Sequence, residues 1–169
     1  MSNIDLFTNV LNSDFVSKEN TLEEPKENMK IPLDNSGCNS IVFKFDTQLG
    51  KEFKGGIFPF LNRGETGVCK VCDYIIFAEQ NGKTFAIVIE LKLGKDGTQK
   101  QLNSGICIST FIKDTVNRVY NKKIKLIQRK VSIHEFKRKN RTKLKEIEYN
   151  ENNTHIFTQN TFRVQEFLK

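Results

Sequence analysis

Two carboxylates and one ammonium group occupy suggestive positions within residues 68–94 of this 169-residue chain. Asp73 opens a run rich in β-branched and aromatic residues, Glu90 lies at the end of a second such run, and Lys92 follows two residues later. Carboxylates are the ligands that Mg²⁺ prefers, and Mg²⁺ usually keeps several waters and takes further ligands from a substrate phosphate. A lysine beside such an ion can orient the attacking water and stabilise negative charge on the phosphate. These residue types therefore predict metal-assisted chemistry at a phosphate.

The pair Asn81-Gly82 indicates how these side chains come together. An Asn-Gly pair between two runs of β-forming residues is typical of a hairpin with a type I′ turn, because both central residues need positive φ. The register set by this turn places Asp73 directly opposite Glu90, and facing Cβ atoms are roughly 4.5–5.5 Å apart. Lys92 lies two residues beyond Glu90 and therefore projects from the same face. The predicted strands are Val71–Ala78 and Thr84–Leu91.

Two other interpretations of this stretch stay open. The second predicted strand is apolar on both faces, as buried strands are, so the charges could form a structural ion cluster in which Lys92 neutralises one carboxylate. Cys69 and Cys72 have the spacing of half a zinc site, which Cys38 and Cys107 could complete. In a strand, however, Cys69 and Cys72 point to opposite faces. Free, reduced thiols are therefore the expected state of all four cysteines.

Asp73, then sixteen residues, then Glu90-Leu91-Lys92 resembles the D-x(n)-E-x-K signature of the PD-(D/E)XK nuclease superfamily. The context is similar as well, because the Asp opens one hydrophobic strand and the E-x-K closes the next. The resemblance covers residues 68–120. It implies a restriction-endonuclease-like α/β fold and Mg²⁺- or Mn²⁺-dependent hydrolysis of phosphodiester bonds. It also implies that Asp73 and Glu90 bind the metal and that Lys92 assists the nucleophile.

The helix after the E-x-K triplet adds to this resemblance, whereas two positions depart from the family pattern. Many members carry a glutamine at the start of that helix, and Gln99 and Gln101 are the candidates here for positioning phosphate or the attacking water. Cys72 stands where many members have proline. The acidic residue that some members supply from an upstream helix has only Glu52 and Glu65 as candidates.

Hydrophobic periodicity predicts a single α/β domain, with a mixed central sheet flanked by helices on both faces. Residues 1–36 are expected to form an acidic helix and a loop, and residues 37–169 to form the core. Apolar residues at intervals of three and four predict helices over 3–16 and 99–120, the second with Thr98 as its N-cap. The other expected elements are a strand at 41–45, a long loop at 46–67, a strand at 123–133, and late strands at 146–149 and 155–168.

Basic residues concentrate at 113–145, where thirteen Lys or Arg accompany two Asp or Glu. Such a block is where a polyanion would bind, through phosphate contacts that carry no sequence information. A solvated lysine-rich surface is the other interpretation. Together with the resemblance, the block predicts a nucleic-acid partner, DNA ahead of RNA. The predicted contact residues are Lys95, Lys100, Arg118, Lys122, Lys123, Arg129, Lys130, Lys137, Arg138, Lys139 and Arg141.

A non-catalytic nucleic-acid-binding or protein-interaction module on the same fold is the alternative to a nuclease. Binding of a divalent ion at Asp73 and Glu90 discriminates between the two. His134 and His155 are isolated from any catalytic Ser or Cys motif and are expected to be surface or structural residues.

The sequence also carries expectations about compartment and assembly. No apolar run approaches the roughly 20 residues of a membrane span. The first ten residues lack the basic and apolar regions of a secretory signal. We therefore expect a cytoplasmic protein, and a homodimer or a larger complex is compatible with the sequence.

Overall fold

The structure is a computed structural model, which describes residues 1–45, 61–62, 64–93, 97–134 and 147–169. Within these residues the chain is α/β, with a five-stranded mixed sheet and a three-stranded sheet. No helix among them is long and apolar enough to cross a membrane. The helices are α1 (Asn3–Val10) and α2 (Gln99–Tyr120), and the strands are β1 (Thr21–Glu24), β2 (Met29–Asp34), β3 (Asn39–Lys44), β4 (Tyr74–Gln80), β5 (Lys83–Leu91), β6 (Leu126–Ile133), β7 (Thr154–Phe157) and β8 (Phe162–Arg163).

The β4–β5 hairpin at the centre of the larger sheet has the predicted register. Asn81 and Gly82 form its turn with φ values of 51° and 72°, as a type I′ turn requires. Gln80 pairs with Lys83, which confirms the register predicted from the turn. The strand order is β3-β4-β5-β6-β7, with antiparallel pairs from β3 to β5 and parallel pairs from β5 to β7. Because β5 is central, residues on both of its faces are buried.

Different layers cover the two faces of the five-stranded sheet. Side chains of α1 and α2 pack on one face, against residues such as Phe77 and Val88. Strands β1, β2 and β8 form the three-stranded sheet, which packs on the other face against residues such as Ile76 and Ile87. The expectation of helices on both faces is therefore wrong for the described part of the chain.

Residues 17–36, for which the sequence predicts a loop, contain β1 and β2. Buried and more exposed positions alternate along both strands, and this two-residue period is that of a strand. The Tyr74 hydroxyl ties β1 to β4, because it accepts from the Glu23 N–H at 2.8 Å and donates to the Glu23 carbonyl at 3.0 Å. β1 is thus held both by its pairing with β2 and by the contact of its backbone with Tyr74.

Apart from the strand predicted at 146–149, the remaining predicted elements among the described residues are present, most of them with shifted ends. α2 has the predicted bounds, whereas α1 is shorter than predicted and is followed by a 3-10 helix. A capping box begins α1, in which Ser2 Oγ accepts from the Asp5 N–H and the Asp5 carboxylate accepts from the Ser2 N–H. β7 and β8 are shorter than the late strands predicted, and residues 147–149 form no strand. Most of the predicted loop at 46–67 lies outside the described residues.

Candidate active site

Asp73 and Glu90 face each other at one end of the β4–β5 hairpin. Tyr74 pairs with Ile89, and Asp73 and Glu90 are the next residues of the two chains beyond this pair; the Asp73 backbone makes a hydrogen bond with the Glu90 side chain. Both side chains are buried, at 6% and 7% exposure. Asp73 Oδ2 accepts a hydrogen bond of 2.7 Å from the Leu91 N–H, which holds this carboxylate against the end of β5. The two predicted metal ligands are therefore brought together at one edge of the sheet, the edge formed by the start of β4 and the end of β5.

The environment of Glu90 opposes its ionisation. Burial raises the pKa of its carboxyl from the ordinary 4.5 to about 8, and the negative charges of Asp73 and Glu24 add to this effect. A hydrogen bond with the Asp73 backbone and the positive charge of Lys92 act in the opposite direction without compensating. At neutral pH, and without a cation, Glu90 therefore holds a proton.

Glu90 Oε2 is a buried oxygen that has no hydrogen-bond partner in the described part of the chain. Leaving such an atom unsatisfied costs roughly 1–3 kcal/mol, and more when the group is charged. A hard divalent cation such as Mg²⁺ or Mn²⁺ would satisfy it, because such ions prefer carboxylate oxygens. Asp73 and Glu90 fit a cation that takes its other ligands from water and phosphate. No group of three or more His, Cys, Asp or Glu among the described residues could hold a metal.

Lys92 extends β5 beyond Glu90, on the same face of the sheet. Its N–H donates to the Ile133 carbonyl at 2.9 Å, so that the pairing of β5 with β6 continues to this level. Its ammonium group lies beside Gly97, where an added Cβ would come within 3.0 Å of Lys92 Nζ. The third member of the D…E-x-K trio therefore lies next to the turn that begins α2.

Glu24 is a carboxylate near the site that the sequence analysis missed. It is 7% exposed and ends β1, and its Oε1 accepts from the Lys26 N–H at 3.0 Å. Its charge acts on Glu90 although it belongs to the layer on the other side of the sheet. Its position depends on the packing of β1 against the central sheet, which no local pattern in the sequence specifies. Of the upstream candidates, Glu65 is exposed and Glu52 lies outside the described residues.

Gln99 lies on the side of α2 that faces β7. Its Nε2 donates to Asn103 Oδ1 at 2.8 Å, and its Oε1 accepts from the hydroxyl of Thr154 at 3.3 Å. A helix turns once every 3.6 residues, so Gln99 and Gln101 project about 200° apart. The contact with Thr154 thus joins the start of α2 to β7, whereas the contact with Asn103 lies within the helix.

Gln101 lies on the opposite side of α2, one turn before Gly105. An added Cβ at Gly105 would come within 2.7 Å of Cys72 Sγ, so this side of the helix packs against the residue next to Asp73. The Ser104 hydroxyl donates to the carbonyl of the nearby Lys70. Of the two candidate glutamines, Gln101 therefore lies on the helix face directed toward the Asp73 segment.

Lys130 and Arg129, two predicted nucleic-acid contacts, lie on opposite faces of the central sheet. Lys130 is paired with Val88 and shares the face of Glu90; burial lowers its pKa, and its Nζ donates to Asn103 Oδ1 at 3.2 Å. Arg129 donates to the Lys169 carbonyl at 2.8 Å on the other face. Of the two, Lys130 alone lies on the face of the carboxylates.

The other predicted contacts are separated along α2. Lys100 lies in its first turn, whereas Arg118 lies in its last turn, about 27 Å away at a rise of 1.5 Å per residue. Lys122 and Lys123 follow the end of the helix. The remaining predicted contacts, Lys95, Lys137, Arg138, Lys139 and Arg141, lie outside the described residues.

The four cysteines are free thiols in different environments. Cys72 is buried, and burial, reinforced by the neighbouring carboxylates, raises the pKa of its thiol well above the ordinary range. Cys38 is half-buried, and Cys69 and Cys107 are exposed. The described residues gather no set of ligands for zinc around them.

Comparison with models of protein families, with curated proteins and with solved structures gives no match for this chain. The assignment of a function to Asp73, Glu90 and Lys92 therefore rests on their geometry and on their spacing in the sequence.

Proposed function

We propose that this chain is a Mg²⁺- or Mn²⁺-dependent nuclease of the PD-(D/E)XK type, with a restriction-endonuclease-like fold, that hydrolyses phosphodiester bonds of nucleic acid, DNA ahead of RNA. One observation carries the proposal. Asp73 and Glu90 are buried and face each other, and Glu90 has an oxygen without a partner among the described residues. Buried polar atoms of structural pairs are normally hydrogen-bonded, and strongly shifted pKa values cluster at functional sites.

Each side chain of the trio has a distinct role in this proposal. Asp73 and Glu90 would hold the cation, and the Leu91 N–H keeps Asp73 Oδ2 in place before any ligand arrives. When bound, the ion would polarise the phosphate and lower the pKa of a bound water. The Lys92 ammonium group stabilises negative charge that develops on the phosphate oxygens and orients the water.

The helix α2 supports the same assignment. Gln101 lies on the side of α2 that faces the segment before Asp73 and is the glutamine we propose for positioning phosphate or water. Among the described residues, two predicted basic contacts lie at this end of the fold: Lys130 is paired with Val88, two residues before Glu90, and Lys100 lies in the first turn of α2. A nucleic-acid strand that crosses this edge of the sheet would meet both lysines, and such phosphate contacts add affinity without sequence preference.

Metal binding is the first test, because it does not depend on knowing the substrate. Titration calorimetry with Mg²⁺ and Mn²⁺ should show binding to the wild-type chain and none to Asp73→Asn or Glu90→Gln. Asp114→Asn is the matched control, since Asp114 is a carboxylate on α2 that pairs with Lys113. Binding of either ion by both site variants with unchanged affinity would refute the metal site.

Cleavage is the second test, across single- and double-stranded DNA and RNA. We expect activity with Mg²⁺ or Mn²⁺ and none in excess EDTA, with losses of more than roughly 10²–10³ in rate for Glu90→Gln, because even one missing catalytic hydrogen bond commonly costs that much. Asp114→Asn should keep wild-type rates. Full activity in EDTA would refute the mechanism. Nucleic-acid binding without binding of a divalent ion and without cleavage of any substrate would instead identify the non-catalytic module.

A further inference from the structure

His134 lies beside Lys92 at the edge of the sheet that carries the carboxylates. β6 runs parallel to β5, and Ser132 pairs with Glu90. Paired residues of adjacent strands project from the same face, and so do residues two apart on one strand. Glu90, Lys92, Ser132 and His134 therefore share one face, with His134 on the side away from Asp73.

A buried hydroxyl holds the imidazole of His134. Ser132 is completely buried, and its Oγ lies 3.0 Å from His134 Nε2 and 3.2 Å from the hydroxyl of Thr98. Thr98 precedes α2 and makes no side-chain hydrogen bond that caps the helix. Hydrogen bonds between Thr98 and Ser132 and between Ser132 and His134 thus connect the start of the helix to the ring. A ring held through a buried partner is oriented before a ligand binds.

Lys92 connects the carboxylates to this hydrogen-bonded series. It lies two residues beyond Glu90 on the continuation of β5, and its positive charge acts on Glu90. Its ammonium group also approaches the turn at Gly97 and Thr98, and the Thr98 hydroxyl contacts Ser132. The register that pairs Ser132 with Glu90 places His134 next to Lys92, so an imidazole and an ammonium group lie together beside the carboxylates.

We infer that His134 contacts the phosphate of the nucleic-acid substrate, and that Ser132 positions its ring. This inference rests on the proposed function, since it assigns a second side to the same site. A phosphodiester has two non-bridging oxygens, and an imidazole N–H beside a lysine is suited to donate to one of them. His134, which is isolated in the sequence, is thus assigned to substrate binding, because the β5–β6 pairing brings it beside Lys92.

The first experiment observes the ring directly and needs no activity. The chain has two histidines, so His155→Gln assigns the imidazole signals in ¹H–¹⁵N spectra. His155 is the matched control, because it pairs with Val131 on the other face and its Nδ1 lies 2.8 Å from the Glu148 carbonyl.

Inorganic phosphate and then a short DNA duplex are titrated in EDTA. We expect the His134 signals to shift saturably with both and the His155 signals to stay unchanged. No shift of His134, or equal shifts of both rings, would overturn the inference.

The second experiment measures cleavage by His134→Ala, Ser132→Ala and the double variant. His134→Ala should raise KM and lower kcat/KM by about 10- to 100-fold, the usual weight of a hydrogen bond to a charged group, while Mg²⁺ affinity stays unchanged. Ser132→Ala should cause a smaller loss and should add nothing to His134→Ala, since the two act as a unit. Unchanged kcat/KM for His134→Ala, or fully additive losses, would overturn it.

The two experiments separate failure of this inference from failure of the proposed function. A wild-type chain that neither binds Mg²⁺ nor cleaves nucleic acid refutes the nuclease, whereas the His134 signals still report whether the ring binds phosphate. Conversely, an active nuclease whose His134 signals ignore both probes refutes the role of His134 alone.

Discussion

Glu90 and Ser132 lie side by side on adjacent parallel strands, and their buried side-chain oxygens differ in their hydrogen bonding. Ser132 Oγ has two hydrogen-bond partners, whereas Glu90 Oε2 has none among the described residues. A buried carboxylate without a hydrogen-bond partner is costly, and taking up a proton or binding a cation removes this cost. The stability of this edge of the sheet therefore depends on pH and on metal.

Removing the charge of Glu90 should stabilise the metal-free protein at high pH. The pKa of Glu90 is raised to about 8 in the fold, so between about pH 4.5 and pH 8 the unfolded state binds fewer protons than the folded state, and stability falls as pH rises. Each pKa unit is worth about 1.4 kcal/mol, which sets a scale of a few kcal/mol. In EDTA, the melting temperature of Glu90→Gln should exceed that of wild type above pH 8 by several degrees. Parallel pH dependence of the two proteins would contradict this prediction.

Metal affinity should rise with pH up to about 8, because a cation must displace the proton that Glu90 holds below its raised pKa. At neutral pH, Mg²⁺ binding should release up to one proton, and above pH 8 almost none. Titration calorimetry in buffers of different ionisation enthalpy measures this release. Equal affinity at about pH 6 and about pH 9 would show that Glu90 is not a ligand or is already ionised.

Gly105→Ala should destabilise the protein, although alanine normally favours a helix over glycine by about 1 kcal/mol. A Cβ at this position would come within 2.3 Å of Val88 Cγ1 and 2.7 Å of Cys72 Sγ, so we expect a loss of about 1–3 kcal/mol from overpacking. Cys107→Ala, an exposed position on the same helix, is the control for helix propensity.

Adding Val88→Ala to Gly105→Ala provides a compensating test, because it removes the atom closest to the new Cβ. Denaturant unfolding should show that the double variant is more stable than the sum of the two single losses implies. Strict additivity would mean that α2 shifts away from the sheet instead of clashing with Val88.

The hairpin and its facing carboxylates could be predicted because their geometry is local. The Asn81-Gly82 turn sets the pairing of the strands that it joins, and this register alone places Asp73 opposite Glu90. α2 was equally predictable, since its apolar residues repeat with the helical period over 22 residues. The positions of the trio thus follow from one turn and one strand period.

The surroundings of the trio depend on contacts between distant segments. Glu24 reaches Glu90 only because β1 packs on the central sheet, and Tyr74 holds it there through the backbone of Glu23. Ser132 reaches Glu90 through the parallel β5–β6 pair, and no turn of two residues specifies such a pairing. The Glu24 charge and the His134 support were therefore not predictable from local patterns.

Gln101→Ala and Gln99→Ala should have different effects. Gln99 is hydrogen-bonded to Asn103 and Thr154, so its loss should lower stability by about 1 kcal/mol for each bond and leave kcat nearly unchanged. Gln101 lies on the side of the Asp73 segment, and its loss should lower kcat by about tenfold or more with little effect on the melting temperature. Steady-state kinetics and thermal unfolding of both variants decide between them, and the reverse pattern would assign the role to Gln99.

The basic residues should affect binding according to the length of the substrate. Lys100 and Lys130 lie at the carboxylate end, whereas Arg118 lies about 27 Å farther along α2, a distance of roughly eight base pairs at 3.4 Å each. Lys100→Ala with Lys130→Ala should weaken binding to short and long DNA duplexes alike. The same double variant should flatten the slope of log K against log[salt] by about 0.9 for each phosphate that it no longer neutralises. Arg118→Ala with Lys122→Ala and Lys123→Ala should weaken binding only to a duplex long enough to reach the far end of the helix.

Lys30→Ala is the control for these two variant sets, because Lys30 lies in the three-stranded sheet and pairs with Glu23. Its removal should leave both the affinity and the salt slope unchanged, since the side chain lies away from the proposed path of the duplex. Fluorescence anisotropy at several salt concentrations measures the slopes for short and long duplexes. If the duplex runs along α2, the two variant sets should differ in their effect on the shortest duplex. Equal effects of both sets on that duplex would show that the substrate does not follow the helix.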